Sequence, residues 1–74
     1  MNNLSALMTN IGNKIKMERT AKKLSQSELA SALGITQDSI SLWETGKRLP
    51  DTQYIILLCK FFEVSSDYLL GLEE

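Results

Sequence analysis

Residues 26–45, QSELASALGITQDSISLWET, leave the chain few ways to fold. Leu29 and Leu33 are four apart and Ile40 and Trp43 three apart, so each pair lies on one face of a helix. Between the pairs sit Gly34, Ile35 and Thr36, room only for a tight turn, and Gly34 supplies the positive φ that such a turn needs. Two short helices therefore meet at a steep angle. That is the geometry of a helix-turn-helix, whose second helix can enter the major groove of DNA.

The flanking sequence extends this pattern into an all-α chain. Ser25 and Glu28 form an S-x-x-E capping box at the start of the first motif helix. Ala30 is the small residue expected where the two helices cross, Thr36 caps the second helix, and Gly46 ends it. Pro50 bars helix just before itself, Asp51 caps a strongly apolar helix from Thr52 to about Phe62, and Ser65 caps a short last helix, Ser66 to Leu70, stopped by Gly71. Upstream, a helix is expected from Ile11 to about Lys22, capped by Thr9 or Asn10, with Ile11, Ile15 and Ala21 inward and a Glu18–Lys22 pair on its surface. Leu4, Leu7 and Met8 keep the same spacing, so residues 1–8 read either as a disordered segment or as an extension of that helix. Residues 9–72 make the domain and 73–74 a tail.

Composition narrows the function. Seventy-four residues make one domain, and a chain of this size buries only about 60% of its unfolded surface, so self-association would help it. No apolar run approaches the roughly 20 residues of a membrane span. The N-terminus lacks the basic lead and apolar run of a signal peptide, and the single Cys59 suits a reducing compartment, so the expected location is cytoplasmic. There is no histidine, no cluster of metal ligands and no glycine-rich phosphate loop. The chain is read as not an enzyme, with no cofactor, metal or small-molecule ligand expected.

Net charge is −1, which looks wrong for a nucleic-acid binder, but it is unevenly distributed. Residues 1–24 carry Lys14, Lys16, Arg19, Lys22 and Lys23 against Glu18, whereas residues 51–74 carry Lys60 against Asp51, Glu63, Asp67, Glu73 and Glu74. A basic face can meet phosphates if the acidic end points away.

The second motif helix offers what a groove reader needs: polar groups on the outer face of its first turns. Gln37, Asp38 and Ser41 lie there, while Ile40 and Trp43 face inward. A glutamine amide matches the donor–acceptor pair of adenine, and Asp38 either accepts from cytosine or simply favours the positive end of the helix dipole. Leu42 either meets a thymine methyl or packs at the edge of the core. Gln26 and Thr36 stand at helix starts, and Lys47 and Arg48 follow the second helix, all placed for phosphate contact.

With these residues in place, the chain resembles the Cro/cI phage-repressor type of helix-turn-helix, the XRE family. The resemblance covers about Ile11 to Leu72 through I-G-x-K-I, L-S-Q-x-E-L-A, the L-G-I turn, W-E-x-G-K-R-x-P and V-S-x-D-Y-L-L-G-L. It implies a compact five-helix, lambda-repressor-like domain that binds double-stranded operator DNA, usually as a two-fold homodimer. It further implies base contacts from Gln37, Asp38, Ser41 and Leu42, and backbone contacts from Gln26, Thr36, Ser39, Lys47 and Arg48. Gln26 is expected to support either phosphate or the second motif helix. Residues alone leave Glu44 a surface acid; the resemblance implies a buried or half-buried ion pair with Arg19. Glu18 stands where family members often carry leucine, which implies a more exposed patch there.

The apolar helix before the last one has more hydrophobic surface than a core needs. Ile55, Leu58, Cys59 and Phe62 share one face, and Tyr54, Leu57 and Phe61 widen the arc to one side. That edge is the expected homodimer interface. The expected function is sequence-specific transcriptional regulation, as a repressor. The rival readings are a protein-interaction module on the same fold, an antitoxin, or a restriction-modification controller.

Overall fold

The computed structural model describes residues 3–73 and contains five helices with no strand among them: α1 (Leu4–Ala21), α2 (Gln26–Leu33), α3 (Gln37–Glu44), α4 (Thr52–Phe62) and α5 (Ser66–Leu70). The long α1 packs against α3, α4 and α5, and α2 packs on α3. Ile11, Ile15, Leu29, Ala30, Ile40, Trp43, Leu58, Phe62 and Leu69 form one core to which every helix contributes. Met1, Asn2 and Glu74, named above in the terminal segments, lie outside the described residues.

Caps behave largely as the sequence dictates. Ser25 and Glu28 make both halves of the capping box: the Glu28 N–H donates to Ser25 Oγ at 3.0 Å and the Ser25 N–H to Glu28 Oε1 at 2.8 Å. The Ser25 N–H, aided by the Ser25 hydroxyl, holds the exposed Glu28 carboxyl below the usual carboxylate range. Thr36 and Ser65 accept from the Ser39 and Tyr68 N–H groups. Asp51 occupies the cap position of α4 in extended geometry, yet its side chain makes no cap hydrogen bond.

At the other ends a common device recurs. Each helix leaves through a residue of left-handed conformation: Lys23, Gly34, Gly46, Glu63 and Gly71. After α3 the Gly46 N–H donates to Trp43 O at 3.1 Å and the Lys47 N–H to Leu42 O at 2.9 Å, the paired bonds of a Schellman exit. The glycines stand out in sequence; Lys23 and Glu63 do not, because nothing in a lysine or a glutamate signals positive φ.

Three expectations about α1 change. It starts at Leu4, not at a Thr9 or Asn10 cap, because its first turns are held by packing as well as propensity: Leu7 joins Ile11, Leu49, Pro50, Ile55 and Leu70 around an apolar groove of about 280 Å³. Ala21 is exposed at the last turn instead of inward. Glu18 pairs with Tyr68 rather than Lys22: the Tyr68 hydroxyl donates to Glu18 Oε2 at 2.8 Å, and Lys22 Nζ lies 5.8 Å from the centre of the Phe61 ring. A tyrosine from α5 thus half-covers the acid that replaces leucine.

The closest approach in the fold is the α1–α3 crossing. Gly12 is buried there, and a methyl group in its place would overlap the carbonyl of Trp43 and stand 3.0 Å from that of Glu44. The missing side chain is what lets α1 lie on the C-terminal end of α3.

Candidate nucleic-acid interface

The position of α3 is fixed from behind. Ile40 and Trp43 are buried in the core, and Glu44, at the end of the helix, is 8% exposed. A charge that deep needs partners. Arg19 of α1 supplies them bidentately, with Nε donating to Glu44 Oε2 at 2.6 Å and the second fork nitrogen to Oε1 at 3.0 Å. Its remaining guanidinium nitrogen donates to Leu24 O at 2.7 Å, in the turn before α2. Gln26, the first residue of α2, donates its amide to Glu44 Oε1 at 3.0 Å. One carboxylate therefore ties α1, α2 and α3 together, and these hydrogen bonds push the Arg19 pKa above its already high value. Of the two roles expected for Gln26, the geometry shows support of α3. Glutamine has a second amide hydrogen, so a phosphate contact stays open to it.

With that face of α3 occupied, the reading candidates lie on the outer face and in the exposed first turn. Gln37 and Asp38 are exposed, and Ser41 and Leu42 are half-exposed. Leu42 is not among the side chains packed on the core, which decides between its two readings in favour of the outer face. Its carbonyl accepts the N–H groups of Lys47 and Arg48 at 2.9 and 3.2 Å, so the basic pair is fastened to the reading helix itself. Thr36 and Ser39 hydroxyls lie 3.1 Å apart at the other end of α3. The four base-reading candidates and the flanking donors thus lie on a single helix and the residues that adjoin its two ends.

Charge is arranged differently from the expectation. The basic N-terminal third and the acidic C-terminal third do not point apart, because α1 packs on α5. Lys14 Nζ sits 5.2 Å from the centre of the Tyr68 ring, and Lys22 lies over Phe61. Both lysines lie over rings of the fold, and Lys47 and Arg48, both exposed, are the cations joined to α3 through their backbones. Cys59 is half-buried, and burial raises its thiol pKa. No group of metal-ligating residues is found among the described residues.

A family profile for the helix-turn-helix matches residues 15–69. The chain belongs to that family, in its Cro/cI or XRE branch. It is similar to the HTH-type transcriptional activator BcrR of Enterococcus faecalis, 41% identical over 61 residues, covering 82% of this chain and 30% of that protein. It is 36% identical over 64 residues to the HTH-type transcriptional regulator ImmR of Bacillus subtilis (strain 168), covering 86% of this chain and 50% of that one. Among solved structures, the restriction-modification controller protein C.AhdI from Aeromonas hydrophila aligns with a TM-score of 0.78 at 28% identity, over 86% of this chain and 97% of that chain. The chain thus spans half or less of these two curated relatives but nearly the whole of the controller protein.

The expected interface residues on α4 are spread around its edge. Leu57 is 41% exposed, and Phe61 is half-buried, edge-on to Phe62 at 5.3 Å. Tyr54 turns toward α3, its ring 5.5 Å from that of Trp43. Ile56, which the sequence pattern did not single out, is 50% exposed on the other side of the helix. No described helix is long and apolar enough to cross a membrane.

Proposed function

We propose that this chain is a sequence-specific double-stranded DNA-binding domain of a transcriptional regulator, with α3 as the recognition helix. The observation that carries the reading is the division of α3 into two faces. Ile40, Trp43 and the Glu44 carboxylate lock one face into the domain; Asp38, Ser41 and Leu42 on the outer face and Gln37 in the exposed first turn stay open, with Lys47 and Arg48 hydrogen-bonded through their backbones to the same helix. Such an arrangement separates discrimination from affinity. Gln37 and its neighbours distinguish bases, at about 1–3 kcal/mol per bidentate pair. Thr36, Ser39, Lys47 and Arg48, with Gln26 behind them, hold the phosphate backbone irrespective of sequence.

A single eight-residue helix reaches only a few base pairs, so the domain reads an operator as a homodimer. Two recognition helices about 34 Å apart then meet successive major grooves of a near-palindrome. The edge of α4 that bears Leu57 and Phe61 supplies the contact with a second copy. Bound over a promoter, such a dimer represses. This work is done in the cytoplasm, where the DNA is, and involves no catalysis.

Selection of bound duplexes from a randomised library tests the reading. Gln37→Ala is expected to flatten preference at one position per half-site, whereas Arg48→Ala weakens all duplexes alike. In a dimer, Arg48→Ala also reduces the slope of log K against log salt by about 2, one unit per subunit. No enrichment by the wild-type chain would overturn the reading. Sedimentation of Leu57→Glu beside wild type tests the dimer, and a monomeric wild type at tens of micromolar would remove it.

A further inference from the structure

Tyr54 stands apart from the rest of the α4 edge. Its ring leans on Trp43 at a tilt of 43°, and it lines a cleft of about 60 Å³ whose other walls are Ser39, Trp43, Arg48, Leu49 and Asp51. Two of those walls, Ser39 and Arg48, flank the reading face of α3. The Tyr54 hydroxyl forms no hydrogen bond with any described residue. No buried side-chain oxygen or nitrogen in the described structure lacks a partner, so this hydroxyl is one that reaches solvent. The cleft holds about two waters, the size of a group a phosphate displaces and well below the roughly 300 Å³ of a small-molecule site.

We infer that Tyr54 is a DNA-backbone ligand: its hydroxyl donates to the phosphate that Arg48 neutralises, at the exit of the recognition helix. The inference rests on the DNA-binding reading above and reassigns one residue of the expected dimer edge. A tyrosine hydroxyl is a neutral donor suited to a phosphate oxygen. The ring is already immobilised against Trp43, so little rotamer freedom is left to lose on binding. The same packing leaves the ring little surface to offer a second copy.

Asp51 is the opposing element. It shares the cleft, its carboxylate is not occupied in capping α4, and no cation lies within ion-pair distance of it among the described residues. It therefore repels a phosphate seated beside Tyr54 and lowers affinity for every sequence. Asparagine at this position keeps the capping preference without the charge.

Fluorescence anisotropy with two labelled duplexes, one selected by the wild-type chain and one of random sequence, at several potassium chloride concentrations, tests this directly. Tyr54→Phe is expected to weaken both duplexes by about 3- to 10-fold, the range of one hydrogen bond. It leaves the salt slope unchanged, because a neutral donor releases no counterion, and leaves sedimentation unchanged. Asp51→Asn tightens both duplexes. Wild-type affinity in Tyr54→Phe, or a loss of self-association in that variant, would overturn the assignment while leaving the DNA-binding reading in place. Failure of the wild-type chain to bind either duplex would overturn both.

Discussion

The Arg19–Glu44 pair can be isolated by a double-mutant cycle. Its side chains are 11% and 3% exposed, so removing the cation strands a carboxylate that water cannot reach. In Arg19→Met, Glu44 keeps only the Gln26 amide, and the cost expected of a broken buried pair is about 3–5 kcal/mol. The whole stability of a 74-residue domain, at about 0.05–0.15 kcal/mol per residue, is about 4–11 kcal/mol, so this variant sits at the edge of folding. Glu44→Leu costs less, because the guanidinium keeps Leu24 O and its tip can reach solvent. The double variant Arg19→Met/Glu44→Leu has no charge left to strand. It loses only the bonds to Leu24 O and from Gln26, at about 1 kcal/mol each, and regains part of that by apolar packing. The coupling is thus about 2–3 kcal/mol, at the upper end for interacting neighbours. The single tryptophan, Trp43, precedes Glu44 and is 3% exposed, so its fluorescence reports urea unfolding beside the pair. With m near about 1 kcal/mol/M, the Arg19→Met midpoint falls by several molar and the double variant recovers much of it. Additive single-variant effects, or an Arg19→Met midpoint within half a molar of wild type, roughly 0.5 kcal/mol, would refute the reasoning.

Other perturbations follow from single features of the fold. Gly12→Ala gains about 1 kcal/mol of helix propensity, yet the new methyl overlaps the Trp43 carbonyl, so net destabilisation of about 1–3 kcal/mol is expected in the same urea assay, and a stabilised variant would show that α1 does not cross α3 at this point. Glu63→Gly relieves an exposed residue held at φ 58°; a left-handed penalty of about 1–2 kcal/mol less an unfolded-state term of about 0.4–1 leaves a net gain of about 0.5–1 kcal/mol, readable as a melting temperature a few degrees higher. Tyr68 donates to Glu18, and that hydrogen bond raises its pKa. A raised folded pKa means a contribution that is complete below the unfolded tyrosine value and is lost as pH rises through the folded one. Tyr68→Phe should therefore abolish a stability decline in the alkaline range while matching the wild-type pH profile near neutrality once the constant offset is removed.

How far the sequence could be read depended on whether the signal was local. The capping box, the Thr36 and Ser65 caps and the glycine exits are decided within four residues, and α2, α3, α4 and α5 fall where those residues put them. The sequence leaves the start of α1 open between an early helix and a cap at Thr9 or Asn10, because the apolar spacing of its first turns faces a groove lined by Leu49, Ile55 and Leu70, far along the chain. Glu44 is the clearest case of a tertiary decision. Nothing within its own helix distinguishes it from a surface acid; its burial depends on an arginine 25 positions earlier. Gly12 was visible as a residue of the I-G-x-K-I segment, but the carbonyls it clears belong to α3. Leu42 and Asp38 were ambiguous on sequence grounds. Packing separates the first, whereas Asp38 is exposed in the first turn of α3, where base reading and dipole stabilisation remain compatible.

The charge pattern carries a different lesson, since the linear asymmetry is real and yet folding brings its two ends together. Because α5 lies on α1, cations and acids that are far apart in sequence become neighbours, and Lys14 and Lys22 are engaged by rings on α5 and α4. The pair fastened to the end of α3 is Lys47 and Arg48, opposed by Asp51 across the α3–α4 loop. With Lys47 and Arg48 as the phosphate-binding cations of the proposed interface, electrostatic affinity per domain is small. Each phosphate neutralised contributes about 0.9 to the salt slope, so two per subunit give a dimer slope of only about −3.6, shallow beside the roughly −10 of a tightly binding repressor. Weak non-specific holding shifts the burden of recognition onto base contacts and onto joining two domains. On the proposed dimer, the edge of α4 therefore matters to binding as much as α3 does. One copy, with two cations and four reading residues, lacks the affinity that a pair, acting on two half-sites at once, would gain from effective concentration alone.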